Sequence, residues 1–237
     1  MQVIYEDNHL LAVNKACGEI VQGDKTGDQT VIERVKAWLK TKYSKAGEVY
    51  LGSPHRLDRP TSGVLLFAKT GKALTRLNAL FQDKTAIKKT YWAMVDQLPE
   101  KETDTLVHYI WKDESKNKSF ATDSPRHGGV QCSLTYWHKA SLDRYHLLVV
   151  ELHTGRHHQI RAQLAKIGLH IKGDLKYGAA RSNPDGSIHL HARQLEFIHP
   201  VKNEPVRITA NPPKDPLWNA IMQIKDIADT PQELRTD

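Results

Sequence analysis

The chain has 237 residues, 39% of them apolar and 26% charged, with a formal net charge of +7. That length supports a sizeable core, no apolar run reaches membrane-spanning length, and the basic surplus favours a polyanionic partner such as nucleic acid. Cys17 and Cys132 are the only cysteines. They exclude a disulfide framework and a cysteine zinc site, and they suit a reducing, cytoplasmic setting. The first residues show no basic segment followed by an apolar one, so no signal peptide is expected.

Residues 2–14 read as two short strands around Glu6-Asp7-Asn8, with Val3, Tyr5, Leu10, Leu11 and Val13 as apolar positions. Asn14-Lys15-Ala16-Cys17-Gly18 follows, then loop to Asp28. Thr30 and Glu33 have capping-box spacing, and Val31, Val35, Trp38 and Leu39 fall on one face, which predicts a helix over 30–44. Its basic residues read as a solvated face.

Next comes His55-Arg56-Leu57-Asp58-Arg59-Pro60-Thr61-Ser62-Gly63, running into Val64-Leu65-Leu66-Phe67-Ala68-Lys69. The apolar run predicts a buried strand. Ahead of it, a carboxylate flanked by two guanidinium groups stands in a turn shaped by Pro60 and Gly63. A carboxylate so placed suits a nucleophile or an ion-pair anchor. By loop chemistry alone the commoner use of Asp58 is as a turn former.

Thr70 can cap a second helix, with Ala73, Leu74, Leu77, Leu80 and Phe81 at helical spacing. Thr70-Gly71-Lys72 lacks the upstream glycine of a phosphate loop, so no nucleoside triphosphate site is expected. Residues 85–89 read as a basic turn and Lys89–Val95 as a strand. Its period puts Tyr91 and Trp92 on opposite faces, one in the core and one able to stack on a base. Residues 112–129 read as a loop or hairpin tip of mixed charge, a candidate RNA-contacting arm. Two strands, 130–137 and 145–152, are joined by a hairpin-sized link.

Thr154-Gly155-Arg156-His157-His158-Gln159-Ile160-Arg161 leads into a predicted amphipathic helix stopped at Gly168. On that helix His157 and Arg161 would share a face, and Ile160, Leu164 and Ile167 would form the packed stripe. An arginine beside such a stripe needs an anionic partner. His189 and His191 would share a strand face, but no acidic or cysteine ligand has matching spacing, so no metal site is expected. The chain beyond Asp226 reads as a polar tail.

Three of these stretches carry a resemblance. The first is similar to the signature of the RluA-type RNA pseudouridine synthases: H-R-L-D, two variable residues, T-S-G, an apolar run, then A-K. The second resembles that family's T-G-R-x-H-Q-I-R. Lys89–Val95 resembles its K-x-Y-x-A-x-V. Shorter likenesses lie at Asn14–Gly18, where Ala16 replaces the usual proline, at Ile171–Gly178 with I-x-G-D-x-x-Y-G, and at Leu190–Pro200.

The resemblance implies an α+β pseudouridine synthase fold, a mixed and mostly antiparallel sheet flanked by helices with a central catalytic cleft. It implies a single catalytic domain over 1–225, the 226–237 tail, and no N-terminal S4 RNA-binding domain. It implies isomerisation of uridine in ribosomal or transfer RNA without cofactor or metal, by a cytoplasmic monomer. By the same resemblance Asp58 is the catalytic aspartate, Arg161 its ion-pair partner and Tyr91 the residue stacked on uracil. Arg56 fills the gap left by the flipped base, and Ile160 and His157 contact substrate. Two other classes are weighed against it: an RNA-binding protein that has lost turnover, and a histidine-dependent metal hydrolase.

Overall fold

The structure is a computed structural model that describes residues 1–23, 27–83, 85–224 and 227. In chain order the elements are β1 (Gln2–Glu6), β2 (Leu10–Lys15), α1 (Val31–Lys42), β3 (Ser62–Ala68), α2 (Gly71–Gln82), β4 (Ile87–Val95) and β5 (Thr103–Asp113). Then come β6 (Lys118–Thr122), β7 (Val130–Ser141), β8 (His146–Leu152), α3 (Gln159–Lys166), β9 (Leu190–Ile198), β10 (Pro205–Thr209) and α4 (Pro216–Gln223). Strand pairs are antiparallel wherever register is defined, and the class is α+β as expected. Contacts divide the chain into two compact units, Met1–Ile87 with Arg193–Asn211, and Lys88–Ala192 with the residues from Pro212 onward.

In the first unit β2 lies between β1 and β3, and β10 pairs with β9. Val64 to Ala68 of β3 are all 0% exposed. A strand covered on both faces needs an unbroken apolar run, and this one has it. Val64, Leu66 and Ala68 meet Leu10, Ala12, Leu77, Phe197 and Ile208 in one core. Helix α1 begins at the expected place: Thr30 accepts from the Glu33 amide, and the Glu33 carboxylate accepts from the Thr30 amide. Thr30 and Thr70 therefore satisfy amides that the first turns of α1 and α2 leave without helical partners.

The second unit has strand order β4-β8-β7-β5-β6. Ala93, Leu134, Leu148, Val150, Ile160 and Leu164 belong to its main core, and Tyr91 packs partly exposed against it. Trp92, on the opposite face of β4, is 2% exposed and packs with Met94, Val149, Trp218 and Ile221. Tyr91 and Trp92 thus divide as strand geometry requires.

Several boundaries differ from expectation. Residues 85–89 are not a basic turn: β4 starts at Ile87, and Lys89 is a buried strand residue whose pKa burial lowers. The 112–129 stretch does form a hairpin tip as expected, with β6 (Lys118–Thr122) as its returning strand and Trp111 directly opposite Phe120. Helix α3 starts at Gln159, so His157 lies outside it and shares no helical face with Arg161. His158 has a left-handed backbone, φ 53°, which turns the chain just before the helix. Ile167 is 38% exposed and ends the helix, so it is not part of the packed stripe. Strand β10, helix α4 and most of β5 lie where no element was expected. The chain from residue 228 onward, most of the predicted tail, lies outside the described residues.

Candidate active site

The Asp58 loop is held from below by one cation. Lys15 is the last residue of β2, pairs across to Gly63 of β3 and is 1% exposed. Its Nζ donates to three backbone carbonyls: Ala16 at 2.9 Å, Arg59 at 3.1 Å and Thr61 at 2.7 Å. The Gly18 amide also donates to the Arg59 carbonyl, at 2.9 Å, and the Thr61 amide donates to the Asp58 carbonyl, at 3.0 Å. The backbone on the C-terminal side of Asp58 is therefore pinned by a buried ammonium whose three N–H donors are all used. Burial pushes the Lys15 pKa down to about 8, against the opposing pull of Cys17, Glu19 and Asp58.

Upstream, His55 Nε2 accepts from the Leu66 amide at 2.9 Å, and its ring stacks on Phe81 with centroids 4.7 Å apart. The loop is tied upstream to β3 through His55 and downstream to β2 through Lys15, and the Asp58 side chain between the ties is partly exposed. The two neighbouring arginines have partners of their own: Arg59 donates to Asp28 at 2.7 Å, and the exposed Arg56 reaches Gln22 at 3.4 Å.

In the second unit the centre is Arg161, 4% exposed. Its Nε donates to Asp174 Oδ2 at 2.6 Å and its Nη2 to Asp174 Oδ1 at 2.8 Å. Asp174 is 1% exposed, so this is a buried bidentate pair. The need for an anion near Arg161 was legible in the sequence; Asp174 as that anion was not. A guanidinium has five N–H donors, and this pair uses two of them.

Asp174 is placed by its neighbours. Gly173 has φ +88°, and a Cβ there would sit 2.6 Å from the Ser187 carbonyl oxygen and 2.7 Å from Asn183 Nδ2. Only glycine fits without displacing that loop.

Tyr177 packs beneath the pair, its ring centroid 4.9 Å from the Arg161 guanidinium carbon. Its hydroxyl accepts from the Ser119 amide at 2.8 Å and donates to the Ser119 carbonyl at 3.0 Å. With its proton so used, it accepts from His158 Nδ1 at 2.9 Å. Burial, reinforced by Arg161 and His157, pushes the His158 pKa down to about 2, so this ring stays neutral. His157 stacks on His158 at 3.7 Å and its Nδ1 meets Ser119 Oγ at 2.9 Å. Ile160 lies in the core against which Tyr91 packs, so these two expected substrate contacts belong to one cluster.

His189 and His191 do not form a metal pair. His189 is 3% exposed, its Nδ1 meets Asn183 Nδ2 at 3.0 Å, and its Nε2 meets Asp215 at 2.9 Å. Among the described residues no three His, Cys, Asp or Glu side chains converge as a metal site.

Residues 9–166, two thirds of the chain, match the RNA pseudouridylate synthase family. The chain belongs to that family. Over 225 residues it is 31% identical to ribosomal large subunit pseudouridine synthase D of Zymomonas mobilis, spanning 91% of this chain and 70% of that protein. It is 30% identical to tRNA pseudouridine synthase C of Pasteurella multocida, spanning 95% and 96% of the two chains. An uncharacterized RNA pseudouridine synthase of Synechocystis is 31% identical over 90% of this chain and 66% of its own.

Two human structures share the pseudouridine synthase fold. RNA pseudouridylate synthase domain containing 4 superposes with a TM-score of 0.74 at 22% identity, over 90% of this chain and 89% of its own. Domain containing 1 gives 0.70 at 21% identity, over 92% and 86%. The family's reaction is the isomerisation of uridine to pseudouridine within RNA. The Asp58 loop, Tyr91 and Arg161 all lie inside the matched residues or directly on strands and helices that they define.

Proposed function

We propose that this pseudouridine synthase acts on specific uridines of ribosomal or transfer RNA, with Asp58 as the catalytic carboxylate. The single observation that supports this most is the construction of the Asp58 loop. A buried lysine holds the carbonyls of the two turn residues, Arg59 and Thr61, while the aspartate side chain between the ties remains partly exposed. A carboxylate that will meet a substrate must be positioned before the substrate arrives.

The reaction breaks the N1–C1′ bond of uridine, turns the uracil, and joins C5 to C1′. The proton on C5 moves to the ring nitrogen side, so atoms balance with no water, oxidant or reductant consumed. Asp58 is the group that acts on the nucleoside. Arg161 is the cation that this reading assigns to that carboxylate. Tyr91 stacks on the uracil and Ile160 packs beside it. Arg56, exposed on the loop, occupies the place of the flipped base, and His157 contacts the RNA. Extracting a base from folded RNA costs a few kcal/mol, which stacking and phosphate contacts offset. The enzyme works as a monomer in the cytoplasm, with no metal or cofactor.

Mapping pseudouridines in RNA from cells lacking this gene, then restoring the missing site with purified protein, tests the assignment. Asp58→Asn and Asp58→Ala are expected to abolish pseudouridine formation while RNA affinity changes less than about threefold, a small fraction of the binding free energy. Full activity in Asp58→Ala, or a strict requirement for added zinc or manganese, would overturn it.

A further inference from the structure

The β5–β6 hairpin carries an aromatic series that none of the roles above uses. Trp111 and Phe120 are cross-strand partners with ring centroids 4.8 Å apart and planes 20° apart. That pair alone is ordinary hairpin stabilisation. His127 is not. It is exposed, it follows β6 in a short helical turn, and its ring centroid lies 4.6 Å from that of Trp111 with the planes tilted by 43°. Its backbone is left-handed, φ 52°, a region that residues with a Cβ avoid. The chain thus adopts a disfavoured backbone while laying a solvent-facing imidazole against the tryptophan. At the other end of the series Lys118 Nζ stands 5.4 Å from the Phe120 centroid.

The charges around this series are not balanced. Asp113, Glu114 and Asp123 are each paired with a lysine: Lys116, Lys112 and Lys166. Among the described residues Lys118, Arg126 and Lys176 have no carboxylate partner, and Lys176 reaches the hairpin tip through the Asn117 carbonyl at 3.1 Å. A polar cavity of about 250 Å³ opens at the end of β6 away from the tip, with Asp123, Arg126 and Lys166 on its wall.

We infer that this hairpin face binds a single-stranded segment of RNA. One unpaired base continues the Phe120–Trp111–His127 series on the exposed side of His127, and the adjoining phosphates lie against Arg126 and Lys118. Aromatic rings, one of them exposed, flanked by cations without carboxylate partners are what sequence-tolerant single-strand binding uses. The inference rests on RNA being the substrate, and it adds a second contact away from the target uridine.

The test is the affinity of the full chain for a single-stranded oligoadenylate, read by tryptophan fluorescence over a range of salt. His127→Ala, at an exposed site where folding is not at stake, is expected to weaken binding about tenfold without changing the salt slope. Trp111→Leu should do the same. Arg126→Gln is expected to lower the slope of log affinity against log salt by about one. An abasic residue in place of one adenosine should erase the difference between the native protein and His127→Ala. Unchanged affinity in His127→Ala overturns the inference. The outcome is separable from the fate of the catalytic assignment. Weakened binding by His127→Ala in a protein that forms no pseudouridine keeps the platform and removes the enzyme reading. Normal turnover with unchanged binding removes only the platform.

Discussion

Lys15 and Asp174 are both buried charges with a single structural task, and each predicts a measurable cost. The Lys15 ammonium donates to three carbonyls, whereas a neutral amine has only two N–H groups. Deprotonation therefore releases one tie of the Asp58 loop, and turnover should fall as pH rises through about 8. The stability effect has the opposite sense. The folded pKa lies below the unfolded value of about 10.4, so the stability contributed by this group is greatest above that value and is lost as pH falls towards about 8. Single-turnover rates across that window check the first point, and a rate that stays level would count against it. For Asp174, replacement by alanine leaves a buried guanidinium without its bidentate partner. A loss of about 3–5 kcal/mol in urea unfolding is expected, with Asp174→Glu recovering part of it.

Among the elements, β6 shows how an edge strand is fastened. Its buried Ser119 gives both backbone groups to the Tyr177 hydroxyl, which also takes His158. Tyr177→Phe removes the common partner of three groups at once. The expected cost is about 2 kcal/mol or more, with faster hydrogen exchange at the Ser119 amide. An unchanged urea midpoint would show that these groups find other partners. Helix α4 is fastened in a comparable way: Asp215 accepts from the Leu217 amide at 2.9 Å and also meets His189. One carboxylate serves as helix cap and histidine partner, and burial lowers the His189 pKa despite that contact.

Over the whole molecule, the surplus of seven positive charges is the property most directly tied to its substrate. Phosphate contacts release counterions, so RNA affinity should fall linearly in log–log form with salt, by orders of magnitude if several phosphates are held. A level salt response would remove phosphate contact from the account. No helix among the described residues is long and apolar enough to cross a membrane.

What the sequence determined by itself was local. Helix α1 with its capping box, the buried β3 run, the split of Tyr91 and Trp92, and family membership through the Asp58 and Arg161 motifs all follow from spacing within short windows. Strand β5 was also available there, in the alternation of Leu106, His108 and Ile110, but mixed polarity hid it. The tertiary structure alone decided which groups satisfy which. That Lys15 crosses to the carbonyls of residues 59 and 61, that Arg161 pairs with Asp174, and that His157 falls outside α3 depend on chain paths no local period encodes. The physical reason is that a buried polar group must find a partner, but the sequence states only the need; the folded chain chooses who meets it.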